Sequence, residues 1–591
     1  MKVSLIGAEL EENLGLRYMA AALIRAGHSA EVIPFNARDD IAQAVEQVSS
    51  FSPDIVGMSM VFTGRAREFC QLAAGIRESG YHGHIIAGGH FACFNAERLL
   101  HDFPAFDSVG LGEGEEIIVS LADHLSNYSQ VQGLCFRLRD GSAQTNPSKG
   151  NPANLDLLAF PKRTRYHRYF DKPIASLLTS RGCWRDCAFC SINAWYKKGG
   201  GRKFRIRSVE SVVAEMKQLY HQDGVRIFNM QDDNFFLPRP EDALRRFQAL
   251  RAGLEKEGVR GIAIAVKARP DSINREAIRV LDDLGLFRVF LGVENASEDA
   301  LRNMNRKCSI DQIRTALQIL NDFDIHVAFN ILMFELDTTM DDIRINLRFL
   351  ERNVENPLNF CRAEAYAGTG LARKLVDRGE LLGDYFGYDY RLRDPHCEAF
   401  HQVSNFAFFD RNFNDNGLHY FNMQVDFYFQ LLRRFYPQAV TQTLRSAVRN
   451  FIKRTNLDTY ARLCEVHDWI VASDPRDQVA IRGFAREMRR RVDSLGEALR
   501  DEGEQVLAVL TRAHKRLVEG ETSAQKPTPS LPFPFLGGQP VPYLGLERLG
   551  ESDQRGWELG SGTDVHFGVL PSPVPYAEFV SRVTGRKTEE C

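Results

Sequence analysis

Three cysteines stand close together in residues 180–191, the stretch "SRGCWRDCAFCS". Cys183, Cys187 and Cys190 have the spacing C-x3-C-x2-C, and they are three of the eleven cysteines in the chain. Thiolates bind soft metals, and a closed zinc or iron–sulfur site takes four ligands. No fourth ligand is obvious near this loop, because the next histidine along the chain is His221. The spacing therefore predicts a metal centre that leaves one coordination position open to a substrate or a cofactor.

The remaining eight cysteines are scattered singly along the chain. This distribution differs from the framework of a disulfide-rich secreted protein, so most of these residues are expected to be buried and reduced. They are Cys70, Cys93, Cys135, Cys308, Cys361, Cys397, Cys464 and Cys591.

The composition predicts a globular protein of the cytoplasm. Of the 591 residues, 44% are hydrophobic and 26% are charged, and the formal net charge is −3. That balance gives no bulk attraction for nucleic acids or acidic membranes. No apolar run approaches the ~20 residues of a membrane span, and Glu9, Glu11 and Glu12 stand where a signal peptide would carry its apolar core. We therefore expect neither a nucleic-acid partner nor a membrane span.

The first 125 residues alternate short apolar runs with amphipathic stretches. The predicted strands are 2–8, 30–35, 54–60, 84–90 and 106–115. With helices between them, they predict a parallel, doubly wound sheet, which binds ligands at the carboxyl ends of its strands. The ends in question are 7–11, 59–65, 88–91 and 110–115. Glycines recur there, and they would let the backbone approach a ligand closely or would simply form turns.

A second alternating series begins near residue 173. Its predicted strands are 173–180, 225–233, 261–269, 287–295, 326–334 and 359–366. Six strand–helix units predict a partial or full α/β barrel, whose chemistry takes place at the carboxyl ends of the strands. The three cysteines follow the first of these strands, so they lie at the end where a ligand would bind.

The chain is thus predicted to be an α/β protein in five parts. We expect a doubly wound, Rossmann-like domain, a connector, a (β/α)6 barrel, a helical C-terminal region and a Pro- and Gly-rich tail. Their predicted bounds are 1–145, 146–170, 171–400, 401–520 and 521–591. The basic runs of the helical region are interpreted as solvated helix faces.

The cysteine loop resembles the radical S-adenosylmethionine (SAM) superfamily. The resemblance rests on the cysteine spacing after Ser-Arg-Gly, on Phe189 between the last two cysteines, and on the position after the first barrel strand. It implies that Cys183, Cys187 and Cys190 hold a [4Fe–4S] cluster and that SAM chelates the fourth iron.

Further segments of the barrel match the same superfamily. They are "NMQDDNFF" (229–236), "VKARPD" (266–271) and "GVENASEDALRNMNRK" (292–307). The segment "FNILMFELDTT" (329–339) departs from the family, because the usual Gly-x-Pro is missing. The residues that the resemblance implies for SAM binding are Phe189, Gln231, Asp232, Asp233, Arg269, Glu294, Asn295 and Asn330.

The N-terminal domain narrows the resemblance to the cobalamin-dependent radical SAM enzymes. "GGHFACF" (88–94), "GLGEGEE" (110–116) and "LDLLAFPKR" before the cysteine loop carry it. Residues 1–145 lack Asp-x-His-x-x-Gly, so a histidine ligand to cobalt is not expected. Arg65 is either a cation near cobalt or a surface residue at a helix start. The implied cobalamin-binding residues are Gly7, Glu9, Leu10, Ser59, Met60, Phe62, Thr63, Arg65, Gly88, Gly89, His90, Phe91, Gly112, Glu113, Gly114 and Glu115.

The resemblance implies a methyltransferase with three cofactors, namely a [4Fe–4S] cluster, SAM and cobalamin. In the leading hypothesis, one SAM methylates cobalamin and a second SAM is cleaved at the cluster to a 5′-deoxyadenosyl radical. An unactivated carbon of a small-molecule or peptide natural-product precursor then receives the methyl group. An external electron donor of the flavodoxin or ferredoxin type is also implied, and no catalytic residue is assigned.

Three alternatives stay open at this point. The same cofactors could support ring formation or another rearrangement, or they could methylate a nucleophilic carbon without a radical. The N-terminal domain could also bind no corrin and only dock a partner. A methylthiotransferase is disfavoured, because Cys70, Cys93 and Cys135 do not share a loop that could hold a second cluster.

Overall fold

The N-terminal domain contains one seven-stranded sheet. This computed structural model describes residues 1–10, 12–414 and 417–519. The strands of the sheet are β1 (Lys2–Gly7), β2 (Ser29–Pro34), β3 (Ile55–Ser59), β4 (His84–Gly88), β5 (Ser108–Gly110), β6 (Leu134–Arg137) and β7 (Ala143–Thr145). Their order is β2-β1-β3-β4-β5-β6-β7. Strands β1–β5 are parallel, as predicted, whereas β6 and β7 add an antiparallel edge that was not predicted.

Helices cover both faces of this sheet. They are α1 (Leu14–Arg25), α2 (Ile41–Phe51), α3 (Ala66–Glu78), α4 (His90–Phe94), α5 (Ala96–Asp102) and α6 (Gly114–Asp123). The consecutive residues Leu5 and Ile6 of β1 belong to two separate apolar cores, one on each face of the sheet. Burial on both faces explains why β1 reads as a continuous apolar run. The carboxyl ends of the strands are consequently the accessible edge.

The second sheet curls into a partial barrel. Its strands are β8 (Arg168–Tyr169), β9 (Lys172–Leu177), β12 (Ile227–Met230), β13 (Ala263–Ala268), β14 (Leu286–Leu291), β15 (His326–Phe334) and β16 (Leu358–Arg362). The order is β16-β15-β14-β13-β12-β9-β8, and all neighbours except β8 and β9 are parallel. The six predicted barrel strands are therefore confirmed. Between β9 and β12 lies a small antiparallel pair, β10 (Ser180–Gly182) and β11 (Phe204–Ile206).

Helices surround the partial barrel, and a hairpin follows it. The helices are α7 (Ile192–Gly199), α8 (Val209–Gln222), α9 (Pro240–Lys256), α10 (Arg275–Leu284), α11 (Glu298–Asn303), α12 (Ile310–Asp322), α13 (Met340–Arg352) and α14 (Gly370–Asp377). The hairpin is β17 (Leu382–Asp384) and β18 (Gly387–Asp389). It reaches the N-terminal domain, because the Tyr385 hydroxyl donates to Asp102 at 2.7 Å and Phe386 packs on Phe91.

Four helices form the C-terminal region. They are α15 (Pro395–Phe413), α16 (Leu418–Phe435), α17 (Gln442–Ala472) and α18 (Gln478–Glu519). Phe427 of α16 shares an apolar core with Ile227, Phe287 and Ala328, near the amino ends of barrel strands. Helix α16 thus covers the barrel at the end opposite the cysteines. In the part of the chain that the structure describes, no helix combines the length and apolarity needed to cross a lipid bilayer. The predicted tail at 521–591 lies outside the described residues.

Candidate functional site

The three cysteines lie on one loop at the carboxyl end of the barrel, between β10 and α7. The loop requires Gly182, whose φ is +82° and whose position would bring a Cβ atom to 1.8 Å from the Lys203 carbonyl oxygen. Its middle is fixed by the Ala188 N–H, which donates to the Met304 carbonyl at 2.8 Å. The Ala188 carbonyl in turn accepts from the Leu371 N–H at 2.8 Å. The sequence around the cysteines therefore forms a tightly held turn.

The cysteine thiols fit a cluster of several irons. All three are free and partly exposed, and they lie within electrostatic range of one another. Burial raises the pKa of Cys183 to about 11, so the thiol must lose a proton when it binds a metal. Among the described residues, no three His, Cys, Asp or Glu side chains converge on a single metal ion. A [4Fe–4S] cluster does not require such convergence, because each thiolate binds a different iron.

Two arginines contact the middle cysteine. Arg269 and Arg306 each place an Nη1 atom 3.4 Å from the Cys187 Sγ atom. Arg269 is held in turn by Asp271, through Nε at 2.9 Å, and by the Arg306 carbonyl at 2.6 Å. Arg269 therefore lies at the cysteine loop, and its role in binding SAM stays a prediction. Arg306 was not predicted to be a site residue, although it belongs to the segment 292–307 that matches the superfamily.

The paired aspartates after β12 have different surroundings. Asp233 accepts from the Gly182 N–H at 3.0 Å, and it lies within electrostatic range of Cys183 and Cys190. Asp232 is fully buried and accepts from Thr179 and Ser180 in the turn between β9 and β10. The expectation that Asp232 faces SAM is corrected here, because its carboxylate supports the loop from behind.

The segment after β14 contains two residues predicted to bind SAM, Glu294 and Asn295, and they have different surroundings. Glu294 has a φ of +67°, a strained conformation for a residue other than glycine, and burial raises its pKa to about 7. Asn295 is fully buried, and its side chain bonds to the Leu332 carbonyl and the Ser297 N–H, at 2.8 Å each. The predicted role of Asn295 in SAM binding is therefore corrected to a structural one. Asn330 lies on a cavity wall, and Gln231 continues β12 through its N–H bond to Leu177.

A cavity of about 280 Å³ lies at the carboxyl edge of the N-terminal sheet, and we call it the edge cavity. Its lining includes eight of the residues predicted for cobalamin, namely Ser59, Gly88, Gly89, His90, Gly112, Glu113, Gly114 and Glu115. Gly89 has a φ of +93°, and a Cβ atom there would lie 2.9 Å from the Met60 carbonyl. His90 stacks on Trp195 of α7 with ring centroids 4.7 Å apart, and burial lowers its pKa to about 4. Trp195, Tyr196 and Met19 also line the edge cavity but were not predicted.

A second cavity of about 380 Å³, the central cavity, lies between the two domains. Phe62, Thr63, His90 and Phe91 line it from the N-terminal domain, and Phe189 and Cys190 line it from the cysteine loop. Residues that were missed in the sequence complete the wall, namely Cys361, Arg362, Glu364, Tyr366, Tyr385, Tyr388, Asn405 and Phe413. Only "YAGTGL" at the end of the sixth strand gave a signal for part of this set.

Five residues predicted for cobalamin do not line these cavities. Met60 is fully buried, and Gly7 packs against Leu16 and Ser59. The Glu9 carboxylate pairs with Arg17 at 2.5 Å. Leu10 is partly exposed in the segment between β1 and α1. These positions support the sheet edge rather than form the cavity surface.

Arg65, the fifth of these residues, points into the N-terminal domain. Its guanidinium donates to the Phe35 carbonyl at 2.9 Å and to the Glu68 carboxylate at 2.8 Å. It also lies over the rings of Phe35 and Phe69. The expectation of a free cation near cobalt is corrected, because the charge is paired within the domain.

Buried ion pairs join the N-terminal domain to the barrel. Arg181 of β10 lies 3.0 Å from Glu113 and 2.5 Å from Glu115. Arg205 of β11 also pairs with Glu113. The two glutamates were expected to bind cobalamin, but the structure commits their carboxylates to the barrel. They line the edge cavity while fixing it beside the cysteine loop.

Comparisons with known proteins agree with this division of the chain. Residues 8–122 match the B12 binding domain, and residues 177–350 match the radical SAM superfamily. An uncharacterized methyltransferase of Pyrococcus horikoshii is 25% identical over 382 residues, which are 62% of this chain and 79% of that protein. The hopanoid C-3 methylase of Methylococcus capsulatus is 28% identical over 334 residues, 54% of this chain and 61% of that protein.

A solved structure has a similar fold. It is OxsB, a cobalamin-dependent S-adenosylmethionine radical enzyme with aqua-cobalamin and S-adenosylmethionine bound. The TM-score is 0.61 at 17% identity, over 87% of this chain and 84% of that chain. The two domains and the helices after the barrel therefore share one architecture with that enzyme.

Proposed function

This chain, with its B12-binding and radical SAM domains, belongs to the cobalamin-dependent radical SAM enzymes, and we propose that it methylates a carbon of a small-molecule or peptide natural-product precursor. Its cofactors are a [4Fe–4S] cluster, SAM and cobalamin. When they are bound, the cluster and SAM supply the one-electron chemistry that activates a C–H bond, and cobalamin carries the methyl group. Cys183, Cys187 and Cys190 would hold the cluster.

The central cavity is the observation that carries this proposal. Phe62 and Phe91 of the B12-binding domain face it from one side, and Phe189 and Cys190 of the cysteine loop face it from the other. A substrate in this space is within reach of both cofactor sites at once. Eight phenylalanine and tyrosine residues contribute to its wall, and they would limit the access of water to a reactive carbon centre.

The polar groups of the cavity would orient the substrate. Glu364 lies 3.3 Å from Arg362, and burial raises the pKa of its carboxyl group. Arg362 is held by Asp389 at 2.8 Å and by the Tyr390 carbonyl at 2.8 Å. The guanidinium is thus fixed, while Glu364 keeps part of its surface in the cavity. A hydrogen-bond donor on the substrate would find its acceptor there.

The same carboxylate favours one second candidate function. Methylation of a nucleophilic carbon without a radical requires a base that removes a proton, and Glu364 is placed to act as that base. The two functions differ in stoichiometry. A radical reaction forms 5′-deoxyadenosine along with each methylated product, whereas the second reaction forms none.

The remaining parts of the proposal concern the cellular setting. An external one-electron donor must reduce the cluster, and we place the protein in the reducing cytoplasm, where unpaired cysteines persist. The bounds of the five parts of the chain also stay a prediction.

The test is an anaerobic reaction of reconstituted protein with cobalamin, SAM and a strong reductant. Methylcobalamin, S-adenosylhomocysteine and 5′-deoxyadenosine are quantified together by mass spectrometry. Methylcobalamin with S-adenosylhomocysteine is the expected result. Formation of 5′-deoxyadenosine with cobalamin bound but unmethylated would contradict the methyltransferase and favour a rearrangement.

A further inference from the structure

The central cavity presents a negative group to whatever binds in it, the carboxylate of Glu364. Among the described residues that line this cavity, two carry a formal charge at neutral pH, Arg362 and Glu364. The Arg362 side chain is 1% exposed, whereas the Glu364 side chain is 26% exposed. Both come from the carboxyl end of β16, where Arg362 ends the strand and Glu364 follows it. The wall of the cavity therefore shows the carboxylate and hides the guanidinium.

The guanidinium of Arg362 is shared between two carboxylates. Its Nη1 atom donates to Asp389 of β18 at 2.8 Å, and its Nη2 atom donates to Glu364 at 3.3 Å. One positive and two negative charges leave these three groups with a formal net charge of −1. Burial raises the pKa of Glu364, because the negative charge is poorly solvated there. A bound cation would balance that charge, whereas a neutral hydrogen-bond donor would not.

Eight phenylalanine and tyrosine residues share the cavity with Glu364. They are Phe62, Phe91, Phe94, Phe189, Tyr366, Tyr385, Tyr388 and Phe413. Tyr366 lies within electrostatic range of the Glu364 carboxylate. The face of an aromatic ring attracts a cation, and cages of such rings recognise ammonium ligands. The rings and the carboxylate thus favour the same sign of charge, and both would disfavour an anion.

We propose that the substrate is an organic amine whose ammonium group binds to the Glu364 carboxylate in the central cavity. This inference rests on the proposed function, because it takes the central cavity as the place where the substrate is methylated. The ion pair holds the amine at one wall and leaves the carbon frame to pack against the aromatic rings. The cavity volume of about 380 Å³ suits a small molecule or one side chain of a peptide.

The test measures binding without turnover. Protein reconstituted with the cluster and cobalamin is titrated with phenethylamine and, separately, with phenethyl alcohol, which has the same frame but no charge. Ligand-observed NMR gives the dissociation constants. Glu364→Gln keeps the shape of the side chain and removes its charge. Glu355→Gln is the matched control, because Glu355 is 68% exposed and precedes the amino end of the same strand, β16. Each titration is repeated with saturating SAM.

We expect the unaltered chain and Glu355→Gln to bind phenethylamine at least about tenfold more tightly than phenethyl alcohol, since a charge-assisted hydrogen bond is stronger than a neutral one. In Glu364→Gln, the two ligands should bind equally. No binding of phenethylamine by the unaltered chain, or a preference for it that survives in Glu364→Gln, would overturn the substrate class.

The titrations with SAM separate two sources of an ammonium group. Phenethylamine should stay bound when SAM is added. Its displacement would overturn the proposal, because Glu364 would then hold the ammonium group of SAM itself. Failure of the unaltered chain to form methylcobalamin would instead contradict the proposed function. That failure leaves the binding constants unaffected, so the two results are distinguishable.

Discussion

Arg181 of the barrel is bound by two glutamates of the B12-binding domain, Glu113 at 3.0 Å and Glu115 at 2.5 Å. All three side chains are buried, so the pair energy and the desolvation cost are both large. The contact fixes the edge cavity beside the strand that leads into Cys183. It therefore couples the placement of the two cofactor sites.

Removing Arg181 alone should lower the free energy of unfolding more than removing the charges of Arg181 and Glu115 together. In Arg181→Met, the Glu115 carboxylate stays buried without its ion pair, and we expect a loss of about 3–5 kcal/mol in the free energy of unfolding. The variant Arg181→Met/Glu115→Gln should recover part of that loss, because the uncompensated charge is gone. Urea denaturation measures the free energy of unfolding of both variants. If the double variant were less stable than the single one, the contact would not be a coupled ion pair.

Substitution of any cluster cysteine should abolish SAM cleavage and leave corrin binding intact. Cys183→Ala, Cys187→Ala and Cys190→Ala each remove one of the three thiols of the cysteine loop. We expect no 5′-deoxyadenosine above background, with cobalamin retained in the absorption spectrum. Cys464→Ala, in α17, is the control and should behave like the unaltered chain. Retained SAM cleavage in all three variants would refute the cluster assignment.

The cysteine turn should require glycine at position 182, because any side chain there would collide with the backbone of Lys203. Its φ of +82° alone would disfavour alanine, and the added Cβ atom would also lie 1.8 Å from the Lys203 carbonyl oxygen. Gly182→Ala should therefore reduce the iron content of reconstituted protein at least about tenfold, because the cysteine turn cannot close. Gly224→Ala is a matched control, since Gly224 has a φ of +70° with no atom within 4 Å of a Cβ position. Equal iron contents in the two variants would show that the cysteine turn tolerates a Cβ atom at position 182.

The parts of the fold that follow from local chemistry could be predicted from the sequence. Alternating apolar and amphipathic segments gave both sheets, and the C-x3-C-x2-C spacing located the loop that the structure holds at Ala188. The glycines at 88, 89, 112 and 114 were also located, because a backbone that approaches a ligand must be glycine-rich.

Side-chain direction could not be predicted in the same way. Asp232 and Asp233 are adjacent in sequence, yet one supports the β9–β10 turn and the other faces Gly182. Arg65 is paired within its domain, and nothing in "TGRAR" indicates that Phe35 and Glu68 would surround it. The wall of the central cavity combines segments that are far apart in the chain, so its members have no common motif.

The stability of the chain should depend on pH through His90. Burial lowers the pKa of His90 to about 4 from its ordinary value of 6.5. Between these two pH values, His90 is therefore protonated in the unfolded chain but neutral in the folded protein. Stability from this group is therefore complete above pH 6.5 and is lost as the pH falls from 6.5 to 4. His90→Phe keeps a ring against Trp195 and should flatten this part of the stability profile. His82→Gln, at an exposed position, should leave the profile unchanged, and melting temperatures between pH 4 and 8 measure the difference.

Arg306 should raise the reduction potential of the cluster. Its Nη1 atom lies 3.4 Å from the Cys187 Sγ atom, and a cation that donates to a cluster sulfur stabilises the reduced, more negative state. Arg306→Met should therefore lower the midpoint potential and slow SAM cleavage by a weak reductant more than by a strong one. Arg302→Met, exposed on α11 and paired with Asp299, is the control. Electron paramagnetic resonance during a redox titration measures the potential. An unchanged or higher potential in Arg306→Met would mean that the bond to Cys187 positions the loop without tuning the iron.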